Sequence, residues 1–219
     1  MPYSRDHIAP IAVDLADRGF AVWNLEYRRV GAAGGGWPGT LQDVGAGIDH
    51  LARLAQDGAP VDLDRVTVVG HSAGGHLALW SARRDSARSD LGAGDGLQPK
   101  RVKISGAVGL AAVADLALAY ELRCGNGAVE NFLGGSPLDV PARYRSTSPA
   151  QMLPIGVKQI LAHGSIDADV PVLMSRRYAA AARAAGDEVN FIELPDADHM
   201  DFVDPSSDAH AAWCSLLTA

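Results

Sequence analysis

The sequence predicts an α/β protein: a doubly wound, mostly parallel sheet with helices on both faces. Three observations carry this reading. Short apolar runs alternate with segments of helical periodicity along nearly the whole chain. Three helical segments stop at a glycine, Gly19, Gly58 and Gly186, where a left-handed residue closes a helix. The chain has 219 residues, 47% hydrophobic and 21% charged, which suits a single domain over residues 1–219 with one sizeable core.

The elements follow in order. Ile8, Ile11, Ala12, Leu15 and Ala16 recur at helical spacing after a cap at Ser4. Residues 20–27 read as a strand, nearly free of charge, as a buried parallel strand should be. Thr40 and Asp43 open a second helix whose face continues through Val44, Ile48, Leu51 and Ala55. Residues 66–69 form a short apolar strand, and a helix follows over about 73–84. Residues 86–100 are polar and Gly-rich, a surface loop. Residues 102–110 read as the next strand. The stretch 111–153 is irregular, with at least one short helix around 115–122, and is expected to form a small cap-like insertion. Residues 158–163 are a strand, 171–185 a helix, 189–194 a strand and 206–217 a closing helix.

Composition narrows the function. A net charge of -7 argues against a nucleic-acid partner, which needs a basic face, and against anionic membranes. No run approaches the ~20 apolar residues needed to span a bilayer, and residues 1–19 do not resemble a signal peptide. The expected location is the cytoplasm. Cys124 and Cys214 are read as free thiols. No metal site is expected, since neither H-E-x-x-H nor a paired cysteine motif occurs. No cofactor is expected either. The Gly-rich stretches 31–39 and 92–96 lack phosphate-loop and dinucleotide spacing, and are read as flexible loops.

The chemistry concentrates at Gly70-His71-Ser72-Ala73-Gly74, a G-x-S-x-G match. An apolar strand precedes it and a helical run follows. That is the strand–turn–helix setting in which a serine is presented as a nucleophile. The Ala73 N–H, at the helix start, is the expected oxyanion donor. Read without chemistry, the same residues make a small-residue turn that packs a helix on a strand.

A serine hydroxyl needs a base, and the partners of such an elbow follow in the order acid, then base. Asp167 and Asp169 lie just beyond the strand ending at His163, and either could instead cap the next helix. Asp169, immediately before Val170-Pro171, suits the capping role better. His199, in Pro195-Asp196-Ala197-Asp198-His199, follows the last strand and is the candidate base. His210 falls inside the closing helix. His71, His76 and His163 read as packing or hydrogen-bonding residues, while His7 and His50 carry no signal.

The stretch Gly70-His71-Ser72-Ala73-Gly74-Gly75-His76-Leu77-Ala78 resembles the elbow of esterase/lipase-type α/β-hydrolases. So do the acid loop His163-Gly164-x-x-Asp167-x-x-Val170-Pro171, the His199 loop and Glu26-Tyr27-Arg28-Arg29. The chain is most similar in flavour to kynurenine formamidase-like and prolyl-oligopeptidase-like single-domain hydrolases. The resemblance implies Ser72 as nucleophile, Asp167 rather than Asp169 as acid, and His199 as base. In that family an upstream strand ending in His-Gly-Gly supplies a second oxyanion donor. This sequence opens at Met1-Pro2-Tyr3-Ser4-Arg5-Asp6, where the family is already entering its first helix. Without that strand, the strand at 20–27 and the one at 66–69 are expected either to leave a gap between them or to pair directly.

The expected activity is hydrolysis of a small carboxylic ester or amide through an acyl-enzyme. Trp37, Tyr120 and Phe132 are candidates to line the substrate pocket. The expected partner is a small-molecule substrate, and a homodimer is compatible with the sequence. The competing reading is a non-catalytic hydrolase-fold protein that binds a ligand or partner.

Overall fold

The computed structural model describes residues 4–91 and 102–217. Among these residues, four strands form one sheet in the order β1 (Val66–His71), β2 (Ile104–Leu110), β3 (Lys158–Gly164) and β4 (Val189–Leu194). Every neighbouring pair is parallel. Successive strand residues face opposite ways. Val108, Leu110, Ile160 and Ala162 join one buried cluster, and Ala107 and Leu161 join another.

Each face is covered by helices that bury an apolar stripe. On one side lie α1 (Ala9–Asp17) and the closing helix α9 (Asp208–Cys214), through Ile11, Leu15 and Trp213. On the other lie α2 (Gly39–Asp49), α4 (Ala73–Leu91) and α8 (Leu173–Ala184), through Val44, Leu79, Trp80 and Tyr178. Arg84 is buried in this layer. Its guanidinium meets Asp49 at 2.5 Å and donates to the Gly45 carbonyl, tying α4 to α2.

Four expectations need correction. Residues 20–27 are extended but belong to no sheet ladder. Among the described residues, no strand lies beside them to accept their backbone bonds, and they do not pair with β1. Their side chains hold them instead. Trp23 Nε1 donates to the Gly47 carbonyl, Asn24 Nδ2 donates to the Arg5 carbonyl, and Leu25 packs over Gly47. The helix after the elbow runs past Arg84 to Leu91, because neither glycine nor proline interrupts residues 85–91. Residues 92–100, the rest of the expected loop, lie outside the described residues, as do Gly92–96. The second helix is divided at His50 into α2 and α3 (Leu51–Gln56). Closing helix α9 is shorter than 206–217, with Ser207 as its cap.

The stretch 111–153 holds more helix than its sequence suggested. Between β2 and β3 come α5 (Leu116–Glu121), α6 (Ala128–Leu133), α7 (Pro141–Thr147) and a 3-10 turn at Pro149–Gln151. Asp115 caps α5, its carboxylate accepting from the N–H groups of Ala117 and Leu118. Two bonds seat α7 on α4: His76 Nε2 donates to the Thr147 carbonyl, and Trp80 Nε1 donates to the Ser146 carbonyl.

Candidate active site

Ser72 sits in the one-residue turn between β1 and α4, with a φ of 55°. That left-handed conformation is costly for any residue with a Cβ and is stored where surrounding structure enforces it. Here the enforcement is visible. The Ser72 N–H donates to the Leu110 carbonyl at 2.8 Å, and its carbonyl accepts from His76 and Val113. The turn also needs the glycines around it. A Cβ on Gly70 would stand 2.0 Å from the Gly74 carbonyl oxygen, and one on Gly75 would stand 2.7 Å from Ala112 Cβ. Ala73 opens α4, so its N–H has no carbonyl four residues back within the helix.

The acid loop follows β3. Asp167 Oδ1 accepts from the N–H groups of Asp169 and Val170, at 2.9 and 2.8 Å. Its Oδ2 meets His199 Nδ1 at 2.7 Å and lies 3.1 Å from His163 Nε2. The Asp167 side chain is fully buried. Burial alone would raise its pKa, but the donors from His163, His199 and Val170 outweigh burial and hold the carboxyl well below the usual carboxylate range. Asp169 is exposed and its backbone serves the Asp167 carboxylate. Of the two aspartates, the structure pairs Asp167 with His199.

His199 comes from the loop after β4. A second contact joins that loop to the elbow. His71 Nε2 donates to the His199 carbonyl at 2.8 Å, and the two rings lie 4.5 Å apart. A carbonyl only accepts, so this bond assigns the His71 proton to Nε2 and leaves Nδ1 to face His7 Nε2 at 3.4 Å. Burial, then the charge of His199, pushes His71 down to about 4. Among the described residues, no hydrogen bond joins His199 to the Ser72 hydroxyl. Ser72, Asp167 and His199 stand beyond the carboxyl ends of β1, β3 and β4 of one parallel sheet, where ligand sites of open α/β sheets form.

Of the expected pocket residues, Trp37 and Phe132 come together. The Trp37 N–H donates to the Phe132 carbonyl at 2.8 Å, and Phe132 packs edge-on against His76. Arg143 covers the Trp37 ring at 4.1 Å. Tyr120 lines a shallow hollow with Arg123, Cys124 and Glu130 that none of Ser72, Asp167 and His199 lines. The loop at 31–39 is a set of hydrogen-bonded turns rather than a free loop. The N–H groups of Gly35, Gly36 and Trp37 are spent on Ala32, Thr40 and Phe132. His7, which carried no sequence signal, lies against His71; the fold, not its neighbours in sequence, brings it there.

Two clusters among the described residues have metal-ligand chemistry: Asp167 with Asp169 and His199, and Asp14 with His210 and Cys214. The Asp167 carboxylate is already engaged by His199 and His163, and the Asp14 carboxylate by Arg18 and His210. Cys124 and Cys214 are free and buried. Among the described residues, no helix is long and apolar enough to cross a membrane.

Comparison with known proteins identifies the fold and the family. The chain is similar to esterase LipQ of Mycobacterium tuberculosis (strain ATCC 25618 / H37Rv), 29% identical over 167 residues, or 74% of this chain. It spans only 39% of that relative's length. Among solved structures it resembles a thermophilic esterase from Thermogutta terrifontis, at TM-score 0.75 and 22% identity over 97% of this chain and 75% of the other. It also resembles an acetyl ester-xyloside bifunctional hydrolase from Caldicellulosiruptor lactoaceticus, at TM-score 0.74 and 24% identity over 94% and 72%. These likenesses show the α/β-hydrolase fold. The BD-FAE family model matches residues 3–181. The chain therefore belongs to the BD-FAE family, within the esterase/lipase-type α/β-hydrolase superfamily.

Proposed function

We propose that this chain is a serine carboxylesterase that cleaves small esters, with Ser72 as nucleophile, His199 as general base and Asp167 as the acid. The observation that carries the proposal is the strained Ser72 turn at the same sheet end as a buried Asp167–His199 pair held at 2.7 Å. Asp167 fixes the His199 proton on Nδ1, which leaves Nε2 free to take the serine proton as the hydroxyl attacks the acyl carbon. The serine oxygen–acyl bond forms, and the alcohol departs with the proton that His199 returns. Water, deprotonated by the same nitrogen, then releases the acid and restores the serine. Catalytic hydrogen bonds often close only around substrate, so the hydroxyl is expected to reach Nε2 in the complex.

The Ala73 N–H at the α4 terminus is the proposed oxyanion donor. We read residues 111–153 as a cap, with Trp37 and Phe132 at its base beside the elbow helix and Tyr120 further out. Relatives support a short acyl group: one solved neighbour is an acetyl ester-xyloside bifunctional hydrolase and another is an esterase with propionate bound. The test is a series of aryl esters, acetate through decanoate, with a fluorophosphonate probe alongside. Turnover highest at acetate or propionate, and probe attached at Ser72, is the expected result. Probe attached elsewhere, or turnover without labelling, would falsify the mechanism.

A further inference from the structure

The buried polar groups around Asp167 extend past His199 to a second histidine. His163 is fully buried at the end of β3, as is Ser175 on α8. His163 Nε2 stands 2.8 Å from the Val170 carbonyl and 3.1 Å from Asp167 Oδ2. Both of those oxygens only accept, so Nε2 carries the proton. In the neutral ring Nδ1 is then an acceptor, and the Ser175 hydroxyl, 2.7 Å away, donates to it. One ring therefore grips the acid loop at both of its ends, at the carboxylate and at the Val170 carbonyl. The N–H of Val170 returns to the same carboxylate at 2.8 Å. The loop is closed on itself through His163.

We propose that His163, its Nε2 proton fixed by the Val170 and Asp167 oxygens and its Nδ1 anchored by Ser175, is a positioning residue: it holds the Asp167 carboxylate in the place from which that carboxylate orients His199. This rests on the reading of Asp167 and His199 as acid and base. An apolar residue at 163 would fill the space but leave the Val170 carbonyl buried and unpaired, and Oδ2 with one partner fewer. The carboxylate would then be free to turn, and His199 would lose its single Nδ1-protonated form. A core histidine that only packs would lower stability without changing the state of His199.

The test uses the full chain labelled with ¹⁵N-histidine and read by NMR at pH 8, in wild type and in His163→Leu, His163→Gln and Ser175→Ala. Wild type is expected to show His163 protonated on Nε2 and His199 on Nδ1, with the latter proton slow to exchange. In His163→Leu that proton should exchange about ten-fold faster or more, and His199 should become a mixture of tautomers. Glutamine carries an N–H close to the position of Nε2 and should restore most of the wild-type pattern. Ser175→Ala should leave His163 protonated on Nε2 but loosen its ring, and give an intermediate His199 signal. An Nδ1-protonated His163 in wild type would overturn the proposal. So would an unchanged His199 in folded His163→Leu, or equal effects of Leu and Gln. If His163→Leu does not fold, the Ser175→Ala spectrum decides: an unchanged His199 there overturns the proposal. Fluorophosphonate labelling of wild type is measured separately. Its failure would count against the esterase reading while the tautomer results still judge the role of His163.

Discussion

His71 donates from Nε2 to the backbone carbonyl of His199 at 2.8 Å, so the residue before the proposed nucleophile holds the loop that carries the proposed base. The contact bridges 128 positions of sequence and links the end of β1 to the loop after β4. His71→Phe keeps the ring but removes the donor. It is expected to lower kcat about ten-fold with a smaller change in KM, because only the placement of the base is disturbed. Steady-state kinetics on an aryl acetate measure this, and a change confined to KM would refute it.

Ser72→Ala should abolish both ester turnover and fluorophosphonate labelling while leaving the fold intact. Mass spectrometry of the labelled protein locates the adduct. Undiminished turnover in the alanine variant would rule out Ser72.

Asp167→Asn should cost about 10⁴ in kcat, as in other triads where the base is left in the wrong tautomer. Asp169→Asn should cost no more than a few-fold, since its side chain is exposed and only its N–H reaches Asp167. Comparable losses in the two variants would mean that the loop, rather than one carboxylate, does the orienting.

Stability should fall on mild acidification. Burial pushes His71 and His76 down to about 4, with the charge of His199 adding to the effect at His71. In the unfolded chain both titrate near the ordinary histidine value of about 6.5. The unfolded state therefore binds more protons between pH 6.5 and 4, and stability present above 6.5 is lost across that window. Each histidine contributes roughly 3 kcal/mol at full effect. Asp167, held below the carboxylate range, adds its loss only at still lower pH. Urea midpoints at pH 7, 5.5 and 4.5 would show the decline, and a flat profile would mean that the histidines are not neutral and buried.

Two neighbouring glycines should respond in opposite ways. Gly70→Ala places a methyl group 2.0 Å from a backbone oxygen, so the turn must shift, at a cost of about 1–3 kcal/mol or more. Gly74→Ala meets nothing within 4 Å outside its own helix and lies in the first turn of α4, where alanine is favoured over glycine by at most about 1 kcal/mol. Thermal melts of the two variants should move down and up respectively.

The four strands and the elbow were legible because each is a local pattern: an apolar run, then, for the elbow, a tight turn that leaves no room for a Cβ at Gly70 and Gly75. The loops that carry Asp167 and His199 were legible because each follows a strand. Residues 20–27 were misread for the complementary reason. An apolar run states that a segment can be buried, but ladder bonds need a neighbour, and none of the described strands lies beside it. Of the helices within 111–153, α5 was expected, while α6 and α7 escaped because they are only six or seven residues long, too short for periodicity to stand out. The link from His163 to Ser175 and that from His7 to His71 are products of packing between elements. His163 meets Ser175 because α8, the element after β3, folds back against that strand.

The left-handed backbone at Ser72 sets function and robustness against each other. A residue with a Cβ gives up about 1–2 kcal/mol in that conformation, and glycine gives up none of it. Ser72→Gly should therefore melt at least as high as the native chain, part of the gain being returned to the greater freedom of glycine when unfolded. A population of variants screened for heat resistance alone would drift toward glycine at position 72. Keeping a hydroxyl there against that drift requires selection on the reaction itself.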